Sequence, residues 1–322
     1  MSRAQTGRIV AVTPNPALDM TWHVDGLSVG ESHRVGPARV RAGGKGLNVA
    51  RVAAQQGADV VAVTTCGGST GAEFAAELAA SGIPHVLVPV DPPTRRSVAI
   101  VDAATGDATV LNERGSDPGA AAWLALVAAT TDAAAAAAVL VVSGSLPPGA
   151  PDAVVPELVG IAASRGIPSI VDTSGAPLLA AARAGATVLK PNRAELVEAT
   201  GIDDPVAAAR TLLEHGTRLV LLSLGAGGML AVTADTEPLH ARLPEVLAGN
   251  PTGAGDAAVA AASVLLACGV HDPASLLRAA VAWSAAAVLE PVAGEISPAH
   301  VEFAQRIDVF PLSKTFPMTE AR

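Results

Sequence analysis

One pattern recurs along the chain: a helical, alanine-rich stretch ends at a glycine, and a short, continuously apolar strand follows. It occurs at five glycines, namely Gly57, Gly82, Gly166, Gly185 and Gly216. Glycine suits the left-handed position that follows a helix. Strands that are apolar throughout are covered on both faces, and their alternation with helices indicates a parallel sheet. The sequence therefore predicts an α/β chain with a three-layer α/β/α core and a mostly parallel sheet.

Two regions depart from this pattern. Residues 17–42 and 95–113 alternate apolar and polar side chains without a helix, and the second region contains a turn at 104–107. Alternation bounded by turn residues predicts β-hairpins. We expect these hairpins to form a small β lid over a site, although the pattern also allows them to extend an edge of the main sheet.

A small sheet with one apolar face is poorly stable by itself. In the first hairpin region, Trp22 and Val24 fall on the same face. We therefore expect that face to be buried against a second copy of the chain, which would give a homodimer formed through the lid.

The composition limits the class of protein. Hydrophobic residues make up 50% and charged residues 16% of the chain, which excludes a disordered protein. Lys and Arg number 21 against 30 Asp and Glu, so the net charge is −9 and neither nucleic acid nor an anionic membrane is expected as a partner. The two cysteines, Cys66 and Cys268, lie in apolar stretches. We expect them in the core of a protein from a reducing cytoplasm, without disulfides.

One apolar stretch, at 120–142, is long enough to be considered as a membrane span. Asp132 near its middle would cost about 2.5–3.5 kcal/mol there. Asp117 and Pro118 are typical of a helix start. We predict a helix over about 118–130 and a buried strand at 139–143 rather than a membrane span.

Polar or charged residues follow four of the predicted strands. They are Ser143, Asp172, Lys190 and Ser223, each close to small or turn-forming residues. Ligands of parallel sheets bind just beyond the carboxyl ends of the strands. Ordinary turn chemistry explains any one of these segments, but four together predict a single ligand crevice.

Two glycine-rich turns lead directly into apolar helices. The first, Gly43-Gly-Lys-Gly46, lacks the spacing of a Walker A loop, yet it combines backbone N–H groups with one of only three lysines in the chain. The second, Pro251-Thr-Gly-Ala-Gly-Asp256, directs the amides of Gly253, Ala254 and Gly255 toward one point and adds a carboxylate. Such amides stabilise a developing negative charge, and Asp256 can accept a proton beside them. The alternative for Asp256 is a helix N-terminal acid.

Four segments together resemble the PfkB (ribokinase-like) carbohydrate kinases, in the right order and over nearly the whole chain. They are Gly43–Asn48, Val142–Gly149, Lys190-Pro-Asn-Arg-Ala-Glu195 and Thr252–Asp256. Thr13-Pro-Asn-Pro-Ala-Leu-Asp19 is similar to the branch of the family that acts on ketohexose phosphates, and Gly30-Glu-Ser-His-Arg34 is similar to the version that acts on fructose 1-phosphate.

The resemblance implies a ribokinase-like kinase domain over residues 1–312, with a C-terminal tail at 313–322. It implies transfer of the γ-phosphoryl group of ATP, with Mg²⁺, to fructose 1-phosphate. Fructose 6-phosphate and tagatose 6-phosphate are alternative acceptors. An alternative of a different class is a non-catalytic sugar-phosphate sensor on the same fold.

The resemblance also implies a role for each matching residue. Asp256 would be the base, and the amides of Gly253, Ala254 and Gly255 the anion hole. The residues implied for the phosphosugar are Asp19, Arg34, Gly43, Gly44, Lys45, Asn48, Arg95 and Ser143. Those implied for ATP are Lys190, Asn192, Ser223, Gly225, Gly228, Thr252 and Ser284, with Asn192 and Glu195 ordering Mg²⁺ through water.

The chain departs from the family pattern after the second hairpin. Members of the family often have Asn-Glu-x-Gly-Pro where this chain has Asn112-Glu-Arg-Gly-Ser116. The hinge at the edge of the lid is therefore expected to differ, and Arg114 is a candidate for an additional phosphate contact.

Overall fold

A computed structural model describes residues 7–103 and 108–314. The strands in chain order are β1 (Arg8–Thr13), β2 (Ala17–Val24), β3 (Arg39–Gly43), β4 (Val60–Gly67), β5 (His85–Val90), β6 (Arg95–Asp102), β7 (Ala108–Asn112), β8 (Ala137–Ser143), β9 (Ser169–Asp172), β10 (Val188–Leu189), β11 (Leu219–Ser223), β12 (Met229–Val232), β13 (Leu239–Ala241) and β14 (Val309–Pro311). The helices are α1 (Lys45–Gln55), α2 (Gly68–Ala80), α3 (Ala120–Ala133), α4 (Val154–Arg165), α5 (Ala176–Arg183), α6 (Arg193–Thr200), α7 (Pro205–Glu214), α8 (Ala254–Ala267), α9 (Pro273–Val288) and α10 (His300–Arg306).

The main sheet has the strand order β14-β13-β12-β11-β10-β9-β8-β1-β4-β5. Every pair from β5 to β11 is parallel, whereas β11 to β14 pair antiparallel. The predicted mostly parallel sheet is thus confirmed. The three short antiparallel strands at one edge were not expected, because strands of three or four residues are too short to show a periodic pattern.

Two separate hydrophobic clusters lie on the two faces of this sheet. Ile9 and Ala11 of β1 belong to one cluster, whereas Val10 and Val12 belong to the other. Successive side chains of a strand point to opposite faces, so a strand buried on both sides is apolar throughout. This arrangement confirms the three-layer core. All five glycines of the repeated pattern have positive φ, between 66° and 123°, as expected for glycines that follow a helix.

The two hairpin regions form a second, four-stranded sheet with the order β3-β2-β6-β7. The pairs β2–β3 and β6–β7 are antiparallel, and β2 runs parallel to β6. The hairpins therefore form a lid of their own instead of extending the main sheet. The expected turn at 104–107 lies outside the described residues, as does most of the expected tail at 313–322.

Two other predictions concern the apolar stretch at 120–142 and the cysteines. That stretch forms α3 and β8, and no helix within residues 7–103 and 108–314 is long and apolar enough to cross a membrane. Cys66 is partly buried, but the prediction of a core position for Cys268 is wrong. Cys268 is exposed because it caps the C-terminal end of α8, where the chain turns toward solvent.

Candidate active site

A crevice of about 830 Å³ lies between the carboxyl ends of the central strands and the lid. Asp172, Lys190 and Ser223, which follow or end three of those strands, all line it. Ser143 ends a fourth strand and is fully buried directly behind Asp172, with its Oγ 3.5 Å from Asp172 Oδ2. Three of the four polar strand ends thus line one crevice, whereas Ser143, expected to contact the sugar, is fully buried and does not reach its lining.

Asp256 lies in the first turn of α8 and is 5% exposed. Asn48 Nδ2 donates a hydrogen bond of 2.8 Å to Asp256 Oδ2. Burial, together with the nearby charge of Asp172, raises the pKa of Asp256 to about 7, against the opposing effects of Lys45, Asn48 and Lys190. A carboxylate with a pKa near neutrality is well suited to accept a proton from a hydroxyl group.

The structure differs from the expected anion hole at one of the three amides. The Ala254 N–H donates to the Pro251 carbonyl at 3.2 Å and is therefore engaged. In the described part of the chain the N–H groups of Gly253, Gly255 and Asp256 have no protein acceptor. Gly253 has φ +87°, and a Cβ there would lie 2.7 Å from the Cβ of Ala293. Only glycine therefore allows this turn to pack so closely at the helix N-terminus.

Two lysines converge on Asp172, the last residue of β9, for which the family resemblance implies no role. Lys45 Nζ lies 3.2 Å from Asp172 Oδ1, and Lys190 Nζ lies 3.6 Å from Asp172 Oδ2. Burial lowers the pKa of Lys45, but Asp172, Asp256 and Glu195 outweigh that effect and raise it above its usual value. Lys45 therefore carries positive charge in the crevice, and the Lys190 side chain contacts the same carboxylate beside it.

Asn192 and Glu195 form a capping box at the start of α6. Asn192 Oδ1 accepts a hydrogen bond of 2.8 Å from the Glu195 N–H, and Glu195 Oε2 accepts one of 2.9 Å from the Asn192 N–H. The second carboxylate oxygen, Glu195 Oε1, lies 3.7 Å from Lys45 Nζ at the crevice. Within the described ranges, no three His, Cys, Asp or Glu side chains cluster as a metal-binding group.

The lid contributes a further carboxylate, that of the half-buried Asp19 of β2. Burial raises its pKa to about 6, although the charges of Arg95, Arg41 and Arg51 oppose this shift. Asp19 lines the crevice and lies opposite Arg41 in the β2–β3 register. A Cβ at Gly43 would overlap the Asp19 carboxylate, so glycine at this position leaves the carboxylate its space.

Three arginines are candidates for binding a phosphate on the acceptor. Arg95 lines the crevice, but its Nε and Nη2 donate to the Asn15 carbonyl at 3.2 Å and its Nη1 donates to the Glu113 carbonyl at 3.1 Å. Arg114 also lines the crevice, and its own carbonyl is held by Asn15 Nδ2 at 3.0 Å. Arg34 is exposed on the segment between β2 and β3 and lies outside the lining of the crevice.

A second cavity, of about 490 Å³, adjoins the crevice. The two cavities share Asn192, Ser223 and Gly255. Other residues expected at the nucleotide, Gly225, Gly228 and Ser284, line the second cavity, together with Ala254. Thr252, Gly44 and Asn48 line the first cavity. Most of the remaining lining of the second cavity is apolar, namely Met229, Leu243, Val246, Leu247, Val281, Ala285 and Val288.

Comparison with known proteins places this geometry in a family. The chain matches the pfkB family carbohydrate kinase over residues 15–300. It is 35% identical to the 1-phosphofructokinase of Xanthomonas campestris over 90% of this chain and 93% of that protein. It is 36% identical to the 1-phosphofructokinase of Rhodobacter capsulatus over 91% of this chain and 92% of that protein.

A solved structure has the same fold. The crystal structure of phosphofructokinase-2 from Escherichia coli in complex with fructose-6-phosphate has a TM-score of 0.81 at 29% identity and covers 93% of this chain and 97% of that chain. The resemblance in the four motifs is therefore confirmed over most of the sequence. The chain belongs to the pfkB family of carbohydrate kinases.

Proposed function

We propose that the protein transfers the γ-phosphoryl group of ATP to the free primary hydroxyl of fructose 1-phosphate. The observation that carries this proposal is the position of Asp256. Its carboxylate lies beside the unbonded amides at the start of α8, between the lid and the second cavity. The relatives that are 35% and 36% identical are named 1-phosphofructokinase, which favours the 1-phosphate as the acceptor.

In the proposed reaction the acceptor hydroxyl donates a hydrogen bond to Asp256. The hydroxyl oxygen forms a bond to the γ-phosphorus as its proton passes to Asp256, and the bond from that phosphorus to the β,γ-bridging oxygen breaks to release ADP. Lys45, Lys190 and the N–H groups of Gly253 and Gly255 face the place where negative charge develops. Such fixed positive groups supply most of the catalysis in phosphoryl transfer.

Magnesium fits the oxygen ligands of the crevice. Glu195 Oε1 is not used by the capping box, and the Asp172 carboxylate also lines the crevice. In the described part of the chain no three such side chains cluster, which suits an ion that keeps several waters and binds largely through nucleotide phosphates. Bound Mg²⁺ would neutralise phosphate charge, with Glu195 and Asn192 holding its waters.

The phosphate of the acceptor would be bound at the lid end of the crevice. Arg114 offers a guanidinium there, while three nitrogens of Arg95 already donate to backbone carbonyls. We propose Arg114 as a phosphate contact and Arg95 as a residue that also fixes the lid edge. Arg34 remains a proposed contact, and it requires movement of its exposed segment toward the crevice.

A phosphate on carbon 6 is the alternative. The structure of phosphofructokinase-2 from Escherichia coli was determined with fructose-6-phosphate, and this chain shares its fold at 29% identity. The deciding experiment measures ADP release from ATP with fructose 1-phosphate, fructose 6-phosphate, tagatose 6-phosphate and fructose as separate acceptors. We expect the highest kcat/KM with fructose 1-phosphate. Preference for a 6-phosphate would refute the proposed acceptor, and binding without product would instead favour the sugar-phosphate sensor.

We also propose that two copies associate through the lid. One lid face carries Asp19, Ser97 and Asn112, which line the crevice. The strand register places apolar side chains on the opposite face, among them Trp22, Val40, Val98, Ile100 and Leu111. Val40 is 39% and Leu111 60% exposed, and burial of such a face stabilises an association.

Sedimentation of the wild-type protein should give a dimer, and Leu111→Asp should dissociate it. Leu124→Asp, at an exposed position on α3, is the control and should leave the dimer intact. A monomeric wild type would contradict the proposal.

A further inference from the structure

An ion pair between two core helices holds the backbone of one lid residue. Glu77 of α2 and Arg51 of α1 contact each other at 2.7 Å, between Oε2 and Nη2. The same Glu77 oxygen accepts a hydrogen bond of 2.7 Å from the Ala42 N–H. The same Arg51 nitrogen donates one of 3.1 Å to the Ala42 carbonyl. Both backbone groups of Ala42 are therefore bonded to a single Arg–Glu pair.

Ala42 belongs to β3, which is an edge strand of the lid. An edge strand leaves alternate N–H and C=O groups without partners, and a neighbouring strand normally satisfies them in this same donor-and-acceptor arrangement. The Arg51–Glu77 pair replaces that missing strand at one residue. Arg51 is 8% exposed, so its interactions are shielded from water and are stronger than those of a surface pair.

Ala42 lies directly beside the acceptor end of the crevice. Ala42 precedes Gly43, which lies against the Asp19 carboxylate, and Gly44, which caps α1. Arg51 is carried by α1, the helix that also carries Lys45 and Asn48. Positions 45, 48 and 51 are three residues apart, so they lie along one face of the helix. That face thus contacts Asp172, Asp256 and the lid strand in turn.

We infer that Arg51 and Glu77 are positioning residues that fix lid strand β3 at Ala42, so that Asp19 and the Gly43–Gly44 turn contact the acceptor sugar while its hydroxyl lies at Asp256. The inference rests on the proposed function, because it concerns where the phosphosugar binds. Neither side chain lines the crevice, so both act on the sugar indirectly, through the backbone of β3 and through their charges near Asp19. Loss of the pair would weaken contacts to the sugar and leave the nucleotide cavity unchanged.

The test is a set of substitutions with a matched control. Glu77→Gln and Arg51→Lys keep the size of each side chain, and Glu73→Gln changes an exposed glutamate one turn earlier on α2. We expect Glu77→Gln to raise the KM for fructose 1-phosphate about tenfold, with kcat within about threefold and the KM for ATP unchanged, the signature of lost ground-state and transition-state binding. Arg51→Lys retains the charge and should recover most of the affinity relative to Arg51→Ala. Glu73→Gln should have no effect.

A double substitution tests whether the two residues act as one unit. If they do, Arg51→Ala combined with Glu77→Ala raises the KM for the phosphosugar no more than the worse single change. Additive effects would overturn the inference, and so would an unchanged KM in Glu77→Gln or equal increases for both substrates. A fall in melting temperature without any change in KM would show a purely structural pair and would also overturn it.

The wild-type protein offers a measurement that does not depend on any variant folding. The Ala42 amide should exchange slowly with solvent deuterium although β3 is an edge strand, because its proton is bonded to a half-buried carboxylate. Rapid exchange at Ala42 would contradict the hydrogen bond between its N–H and Glu77. Absence of wild-type turnover with fructose 1-phosphate would instead contradict the proposed function, so the two failures are distinguishable.

Discussion

Replacement of Asp256 by asparagine separates the role of this residue in catalysis from its role in stability. The variant keeps the shape of the side chain and removes the carboxylate that accepts the hydrogen bond from Asn48. A positioned general base contributes about 10² to 10⁴ in rate, so kcat should fall by that factor while the KM for both substrates changes little. The wild-type rate should rise with pH through about 7, because the base acts in its deprotonated form. That limb should be absent from the variant.

The same substitution should stabilise the fold at alkaline pH. The unfolded carboxyl group loses its proton near pH 3.8, whereas the folded one retains it to about pH 7. The folded state therefore binds more protons across this interval, and the free energy of unfolding falls as pH rises through it. With about 1.4 kcal/mol for each pH unit, the buried charge costs on the order of 4 kcal/mol above pH 7. Asp256→Asn should therefore melt at a higher temperature than the wild type at pH 8, with a smaller difference at pH 5.

Initial rates and thermal melts at several pH values measure both effects. Asp272→Asn is a suitable control, because Asp272 caps the start of α9 and is exposed. Asparagine caps a helix about as well as aspartate, so this variant should keep both the rate and its pH profile. A variant at position 256 that kept most of its kcat would remove Asp256 from the role of base. A lower melting temperature at pH 8 would refute the argument from burial.

Three further predictions concern the two ends of the crevice and the lid. Asp19→Asn should lower kcat/KM for the phosphosugar about 10- to 100-fold, the scale of a hydrogen bond to a charged group. It should also remove a pH dependence of the rate near 6, while the dependence near 7 remains. Loss of affinity for ATP instead would contradict the placement of Asp19 at the sugar. Gly228→Ala should raise the KM for ATP and not that for the sugar, because φ is +86° and the new Cβ would overlap the Ala241 carbonyl; normal ATP kinetics would argue against this loop as a nucleotide contact. Added phosphosugar should protect amides in 17–42 and 95–113 from hydrogen exchange more than those in β11, and equal protection everywhere would indicate a fixed lid.

Much of the fold is determined by local patterns. Apolar strands after helix-ending glycines identify β4, β9 and β11, because a strand covered on both faces is apolar over most of its length. Alternation in the hairpin regions identifies the lid strands for the corresponding reason, since one face meets the site and the other is apolar. Asp256 is likewise recognisable in sequence as an acid that opens an otherwise apolar helix.

Contacts between distant segments are decided only by the tertiary structure. Asp172 contacts Lys45 and Lys190 because the carboxyl ends of β9 and β10 and the start of α1 lie together. No spacing in the sequence predicts these contacts. The raised pKa of Asp256 comes mainly from burial by segments far along the chain. The periodicity of the sequence indicates which face of a helix or strand is buried. Which charged side chains lie together on the buried faces depends on how the helices and strands pack.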